Sequence, residues 1–150
     1  MIRSEERPTK KEHWEAVYQT KPLETVGWYQ PVPAVSLELI ESLELPYDAP
    51  IIDVGGGDSL LCDHLLRRGF TDLTVLDISG AALQRARRRL GSKAERTRWI
   101  ESDVLEFTPD RAFALWHDRA TFHFLTALQR GDRHTLRRFL AHLPGEGMIP

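Results

Sequence analysis

Cysteine is almost missing from this chain. Cys62 is the single one in 150 residues, which excludes an internal disulfide and a thiolate cluster for zinc. It falls in an apolar helical stretch and is expected to be buried there. Long apolar runs are missing too. None approaches the ~20 residues that span a bilayer, and "MIRSEERPTKKEHWEAVY" has no signal-peptide core. A cytoplasmic protein with no membrane partner is expected. Excess charge is absent: the formal net charge is -2 and the pI about 6.3, so no global attraction to nucleic acid operates. There is no Gly-Lys-Ser/Thr ending of a phosphate loop and no Gly-x-Ser-x-Gly elbow of a hydrolase. His117, His123, His134 and His142 lack metal-ligand spacing, and no metal is expected.

What is present suits one domain. With 41% hydrophobic residues in 150, the chain is expected to bury roughly 68 to 70% of its unfolded surface around one core. Residues 1–10 are charged, carry Pro8 and are expected to form a loose tail. Residues 11–46 are expected to form a helical cover. In "KEHWEAVYQT" Trp14 and Tyr18 stand four apart, on one helical face. Pro22, Pro31 and Pro33 break the next stretch into a loop holding Trp28 and Tyr29. A second helix is predicted from about Ala34 to Leu43, with Val35, Leu39 and Ile40 as its apolar stripe.

Over residues 50–150, short apolar runs alternate with helical periods, the mark of an α/β core. "PIIDV" reads as a buried strand. Asp58 or Ser59 then caps a helix whose Leu61, Leu65 and Leu66 point inward and which ends at Gly69. "LTVLD" is a second strand. Ser79 caps the following helix, with Ala82, Ala86 and Leu90 on one side, Arg85, Arg87, Arg88 and Arg89 as a solvated face, and Gly91 at its end. "TRWIESD" and "AFALWHD" are the third and fourth strands. Helical material split near Gly131 and Asp132 runs to about Leu143, before "PGEGMIP" turns toward a fifth strand. This order predicts a three-layer, Rossmann-like parallel sheet with right-handed crossovers.

In such sheets ligands bind beyond the carboxyl ends of the strands. Gly55 to Asp58, Asp77, Asp103, and His117 with Asp118 all fall at that edge. Glycines there let a ligand approach main-chain atoms. A dinucleotide fingerprint starting at Gly55 needs glycine at position 60, where Leu60 stands. Asp58 adds negative charge at a helix start, where a phosphate would otherwise gain. Asp77, 20 residues after Gly57, is placed to accept the hydroxyls of a ribose. Asp103 suits an adenine edge, with Ile78 and Val104 against the ring. An adenosine without pyrophosphate is the inferred ligand, and S-adenosylmethionine is the common cellular example. Asp77 and Asp103 also suit helix or turn caps, and Trp14, Tyr18, Trp28 and Tyr29 suit core or cover positions.

The motifs "DVGGGDS", "VLDIS", "ESDV" and "ALWHDRATFHFL" in this order resemble those of the class I, seven-stranded S-adenosylmethionine-dependent methyltransferases. "HWEAVYQTKPLETVGWYQ" is similar to a subgroup of methyltransferase-like proteins that includes lysine methyltransferases acting on a translation elongation factor and on citrate synthase. The resemblance covers about residues 10–149. It implies S-adenosylmethionine as cofactor, with Gly55 and Gly57 beside its methionine part, Asp77 and Ile78 on the ribose, and Asp103 and Val104 at the adenine. It also implies Trp14, Tyr18 and Tyr29 closing over the cofactor, and His117, Asp118 and Arg119 as the floor toward the acceptor. His117 and Asp118 are the candidates for a base that neutralises a lysine amine. Family members continue through further strands for which nothing remains after Pro150. An incomplete sheet is therefore expected, with the fourth strand at or next to an unpaired edge and self-association or a partner there. Two functions stay open: a methyltransferase, possibly of protein lysine, and a noncatalytic module of that fold that binds cofactor or a partner.

Overall fold

Along the chain come helices α1 (Lys10–Thr20) and α2 (Ala34–Ser42), strand β1 (Ile51–Val54), helix α3 (Leu61–Arg67), strand β2 (Leu73–Asp77) and helix α4 (Gly80–Leu90). A 3-10 segment (Gly91–Arg96) and strands β3 (Thr97–Glu101) and β4 (Leu115–His117) follow, in a computed structural model of the chain. The structure describes residues 9–20, 22, 32–57 and 59–118. The tail at 1–8, Trp28, Tyr29, Asp58, Arg119, the later helices and the fifth strand lie outside the described residues.

The strands form one sheet in the order β3-β2-β1-β4, and every pairing is parallel. The Rossmann-like reading is borne out. Among the described residues β4 has β1 as its one strand neighbour. Period-two alternation divides the core. Ile51, Leu73, Val75 and Leu115 pack with Leu37, Ile40, Leu61, Leu65 and Leu83 from α2, α3 and α4. Ile52, Val54, Leu76 and Trp116 face the other way, against Val104 and Phe113. Each fully buried aliphatic side chain stabilises the fold by ~1.5–3 kcal/mol.

Local signals place most of the helix ends. The Ser79 side chain accepts the Ala82 N–H at 3.2 Å, capping α4, and Gly91 ends it at φ 60°. Before α3, Ser59 Oγ accepts from Leu61 N at 3.2 Å. Cys62 is buried in α3, as expected.

Two expectations are corrected. On α2 the inward face is Ser36, Leu37 and Ile40, whereas Val35 is 70% and Leu39 56% exposed. Pro33, immediately before the helix, is buried on the same side as the cleft it lines. The arginines of α4 are not one solvated face. Arg89 grips the buried Asp63 with Nε to Oδ2 at 2.7 Å and Nη2 to Oδ1 at 3.2 Å, and also donates to the Ser59 carbonyl at 3.2 Å. Arg85 donates to the Tyr18 carbonyl, which ties α1 to α4. Arg87 and Arg88 remain exposed.

Candidate functional site

A small cleft of about 50 Å³ opens at the carboxyl ends of β1 and β4. Tyr18 from α1, Pro33 and Ser36 at α2, Asp53 and Val54 of β1, Gly55, Gly56, Ser59 and Leu61 of the turn, and His117 of β4 line it. Its volume suits a terminal group, so a nucleoside would have to extend along the sheet edge toward β2. No Lys or Arg is among these described lining residues. Hydroxyls, a carboxylate and the His117 imidazole are what they offer, a set suited to a cationic group and poorly suited to phosphate.

Asp53 and His117 are register partners on β1 and β4, so their side chains rise on the same sheet face. His117 Nδ1 lies 2.8 Å from Asp53 Oδ1, and His117 Nε2 lies 2.9 Å from Ser36 Oγ. Asp53 is 7% and Ser36 5% exposed. The middle glycine holds this arrangement closed from above. A Cβ on Gly56 would stand 2.5 Å from Asp53 Oδ2 and 3.0 Å from Val75 Cγ1, so no other residue lets the turn lie this close to the sheet.

Gly57 bridges to the next part of the edge. It sits at φ 43°, and a Cβ there would meet Asp77 Oδ2 at 2.7 Å and Tyr18 Oη at 3.1 Å. Gly55 also takes a positive φ, 68°. Asp77 ends β2 and is buried, with Oδ1 accepting the Ser79 N–H at 2.8 Å. Burial pushes its carboxyl up to about 7; the Ser79 hydrogen bond opposes this, and the charges of Asp53 and Glu15 add to it. Ile78 follows, partly exposed at the edge.

Asp103 stands two residues beyond the end of β3. Its Oδ1 accepts the Leu105 N–H at 3.0 Å, and its carbonyl accepts from Glu106 and Phe107, so in this form it caps a turn. Val104 belongs to the second core cluster. The Trp14 ring leans on Tyr18 with centroids 6.2 Å apart, and Tyr18 carries the contact to the cleft. Asp118 follows β4, partly buried. The structure therefore gathers Tyr18, Gly55 and His117 at the cleft, puts Gly57 and Asp77 together beside it, and leaves Asp103 and Val104 at the far end of the edge. Among the described residues no three His, Cys, Asp or Glu side chains group to hold a metal.

Sequence reasoning missed Asp53, Ser36 and Gly56. The first had a signal, an acid on the strand two residues before the glycines. Ser36 had none, because only the tertiary packing of α2 brings it to His117. Glu15 was missed as well; both its carboxylate oxygens lie 3.3 Å from Ala81 N at the start of α4.

Residues 51–147 match the family model described as a methyltransferase domain. The chain belongs to this methyltransferase-domain family. It is 30% identical over 115 residues to the mouse (Mus musculus) eEF1A lysine and N-terminal methyltransferase, across 73% of this chain and 16% of that protein. It is 28% identical over 83 residues to the human (Homo sapiens) EEF1A lysine methyltransferase 2, across 49% of this chain and 35% of that protein. The chain thus spans between about a sixth and a third of these relatives. Among solved structures it resembles a SAM-dependent methyltransferase from Thiobacillus denitrificans in complex with S-adenosyl-L-homocysteine. That match has a TM-score of 0.62 at 19% identity, over 83% of this chain and 50% of the other. The glycopeptide N-methyltransferase MtfA complexed with S-adenosyl-L-methionine gives a TM-score of 0.60 at 20% identity, over 75% and 50%. At these identities the structural likeness establishes the shared fold.

Proposed function

We propose that this chain binds S-adenosylmethionine along the edge from the β1 turn to β3 and transfers its methyl group, with a protein lysine as the acceptor. The observation that carries the reading is the cleft at the carboxyl ends of β1 and β4, lined by Asp53 and by Gly56, which admits no Cβ, in a chain of the methyltransferase-domain family. The residues fit the cofactor. Asp53 and the Ser59 hydroxyl suit its cationic amino acid part. Asp77, under Gly57, suits the ribose hydroxyls, and Ile78 and Asp103 lie where the adenine would follow. The lysine acceptor is supported by the two relatives, which are lysine methyltransferases by name.

When bound, the cofactor supplies an electrophilic methyl activated by the adjacent sulfonium. The chain's part is positioning, because in-line displacement needs no protein nucleophile and asks for the reacting atoms ~3–3.5 Å apart. Tyr18 lines the cleft from the α1 side, with the Trp14 ring packed against it. The acceptor must react as a neutral amine, so the ammonium has to lose a proton before the transfer.

A second reading has its own support. β4 has one strand neighbour among the described residues, and an unpaired edge favours pairing with another chain. On that reading the chain is a cofactor-binding module that associates with itself or with a partner, in the cytoplasm. Calorimetric titration with S-adenosylmethionine, followed by radiolabelled methyl transfer, separates the two. Binding with transfer supports the methyltransferase, and binding without transfer supports the module.

A further inference from the structure

His117 is committed on both ring nitrogens. An ionised Asp53 only accepts hydrogen bonds, so the 2.8 Å contact puts the proton on Nδ1. In the neutral imidazole Nε2 is then the acceptor, and the Ser36 hydroxyl, 2.9 Å away, is its donor. In this arrangement the imidazole cannot meet an incoming amine itself. Ser36 can, since it lines the cleft and its oxygen keeps lone pairs while its proton points to His117. Three elements fix the chain of groups: β1 and β4 through their register, and α2 through its buried inner face.

We propose that Ser36 takes the proton of the acceptor amine and that His117 and Asp53 stand behind it as a relay, an inference that rests on the methyl-transfer reading above. The substrate ammonium gives its proton to Ser36 Oγ as the hydroxyl proton moves to His117 Nε2. Ammonium becomes amine, imidazole becomes imidazolium, and total charge is unchanged. The Asp53 carboxylate holds the imidazolium, as a buried acid does for histidine in hydrolytic triads. The freed lone pair on nitrogen is then available for the methyl group. Ser36 is the catalytic residue in this step; His117 and Asp53 are positioning residues that act through it. Among the described residues, the other titratable groups facing the relay are Tyr18 from α1, which lines the same cleft, and Asp77 from β2 and Cys62 from α3, which both feel the charge of Asp53.

Two measurements test the relay. Nitrogen NMR of 15N-histidine-labelled protein needs neither cofactor nor turnover. It should show His117 as the Nδ1–H tautomer, an Nε2 resonance displaced by the Ser36 hydrogen bond, loss of that displacement in Ser36→Ala, and its return in Ser36→Thr. An Nε2–H tautomer in the wild type overturns the wiring. In single-turnover methyl transfer to poly-L-lysine at pH 7.5, Ser36→Ala and His117→Gln should each lose about 10²–10⁴-fold, the usual range for general base catalysis, while Ser36→Thr keeps most of the rate. The loss should narrow as pH approaches the lysine pKa of ~10.4. Rates in Ser36→Ala equal to wild type would overturn the relay. Absence of cofactor binding or of turnover in the wild type counts against the methyltransferase reading instead, and the tautomer still decides the wiring.

Discussion

Asp53 and His117 face each other across adjacent parallel strands with Oδ1 and Nδ1 2.8 Å apart. The pair carries stability as well as chemistry. Removing the imidazole leaves a nearly buried carboxylate without this partner, whereas removing the Ser36 hydroxyl deletes one hydrogen bond. His117→Ala should therefore cost about 2–4 kcal/mol and Ser36→Ala about 1 kcal/mol in urea unfolding. Equal costs would contradict the arrangement.

Gly56 makes a separate prediction. Its φ does not demand glycine, so the argument is steric: an added Cβ would lie 2.5 Å from Asp53 Oδ2. Gly56→Ala should destabilise by about 1–3 kcal/mol and weaken cofactor binding by displacing Asp53. The paired measurement is thermal unfolding with calorimetric titration. Unchanged values for both would show that the turn lies farther from the sheet.

Asp77 gives a pH dependence whose sign is set by its raised carboxyl. The folded value of about 7 exceeds the unfolded 3.8, so the unfavourable burial of charge is absent below about pH 4 and grows until about pH 7. Stability should fall across that window in the wild type relative to Asp77→Asn, which retains an oxygen for the Ser79 N–H. The ionised form accepts ribose hydroxyls better, so cofactor affinity should rise from pH 6 to 8. In Asp77→Asn it should be about 10- to 100-fold weaker and flat with pH. A wild type whose stability and affinity track the variant at every pH would exclude this role.

Cys62 reports on global unfolding. Burial pushes its thiol up to about 12, against a weaker opposing hydrogen bond from Thr97, so the thiolate is scarce and shielded at pH 8. Reaction with a disulfide reagent should proceed only as fast as the protein unfolds, and should become fast in denaturant. Rapid reaction of the native protein would place the thiol at the surface.

Most of the fold was legible because it rests on short-range patterns. The strands announce themselves by apolar runs, and Ser79 and Gly91 bound α4 through local backbone chemistry. What failed depended on rotation and tertiary contact. The stripe proposed for α2 was off by one helical face, since nine residues containing Val35, Leu37, Leu39 and Ile40 offer more than one apolar face, and packing selects between them. Arg89 looked like solvated charge until the fold brought Asp63 to it. The site was half legible: strand ends mark Gly55, Gly57, Asp77 and His117, but a side chain 81 positions from its partner, as Ser36 is from His117, leaves no local trace.

The most direct test is titration of S-adenosylmethionine into the purified 150-residue chain, monitored by isothermal calorimetry. The account predicts saturable one-site heat, reduced in Gly56→Ala and Asp77→Asn. Absence of heat at high protein concentration, with both S-adenosylmethionine and S-adenosylhomocysteine, would contradict it.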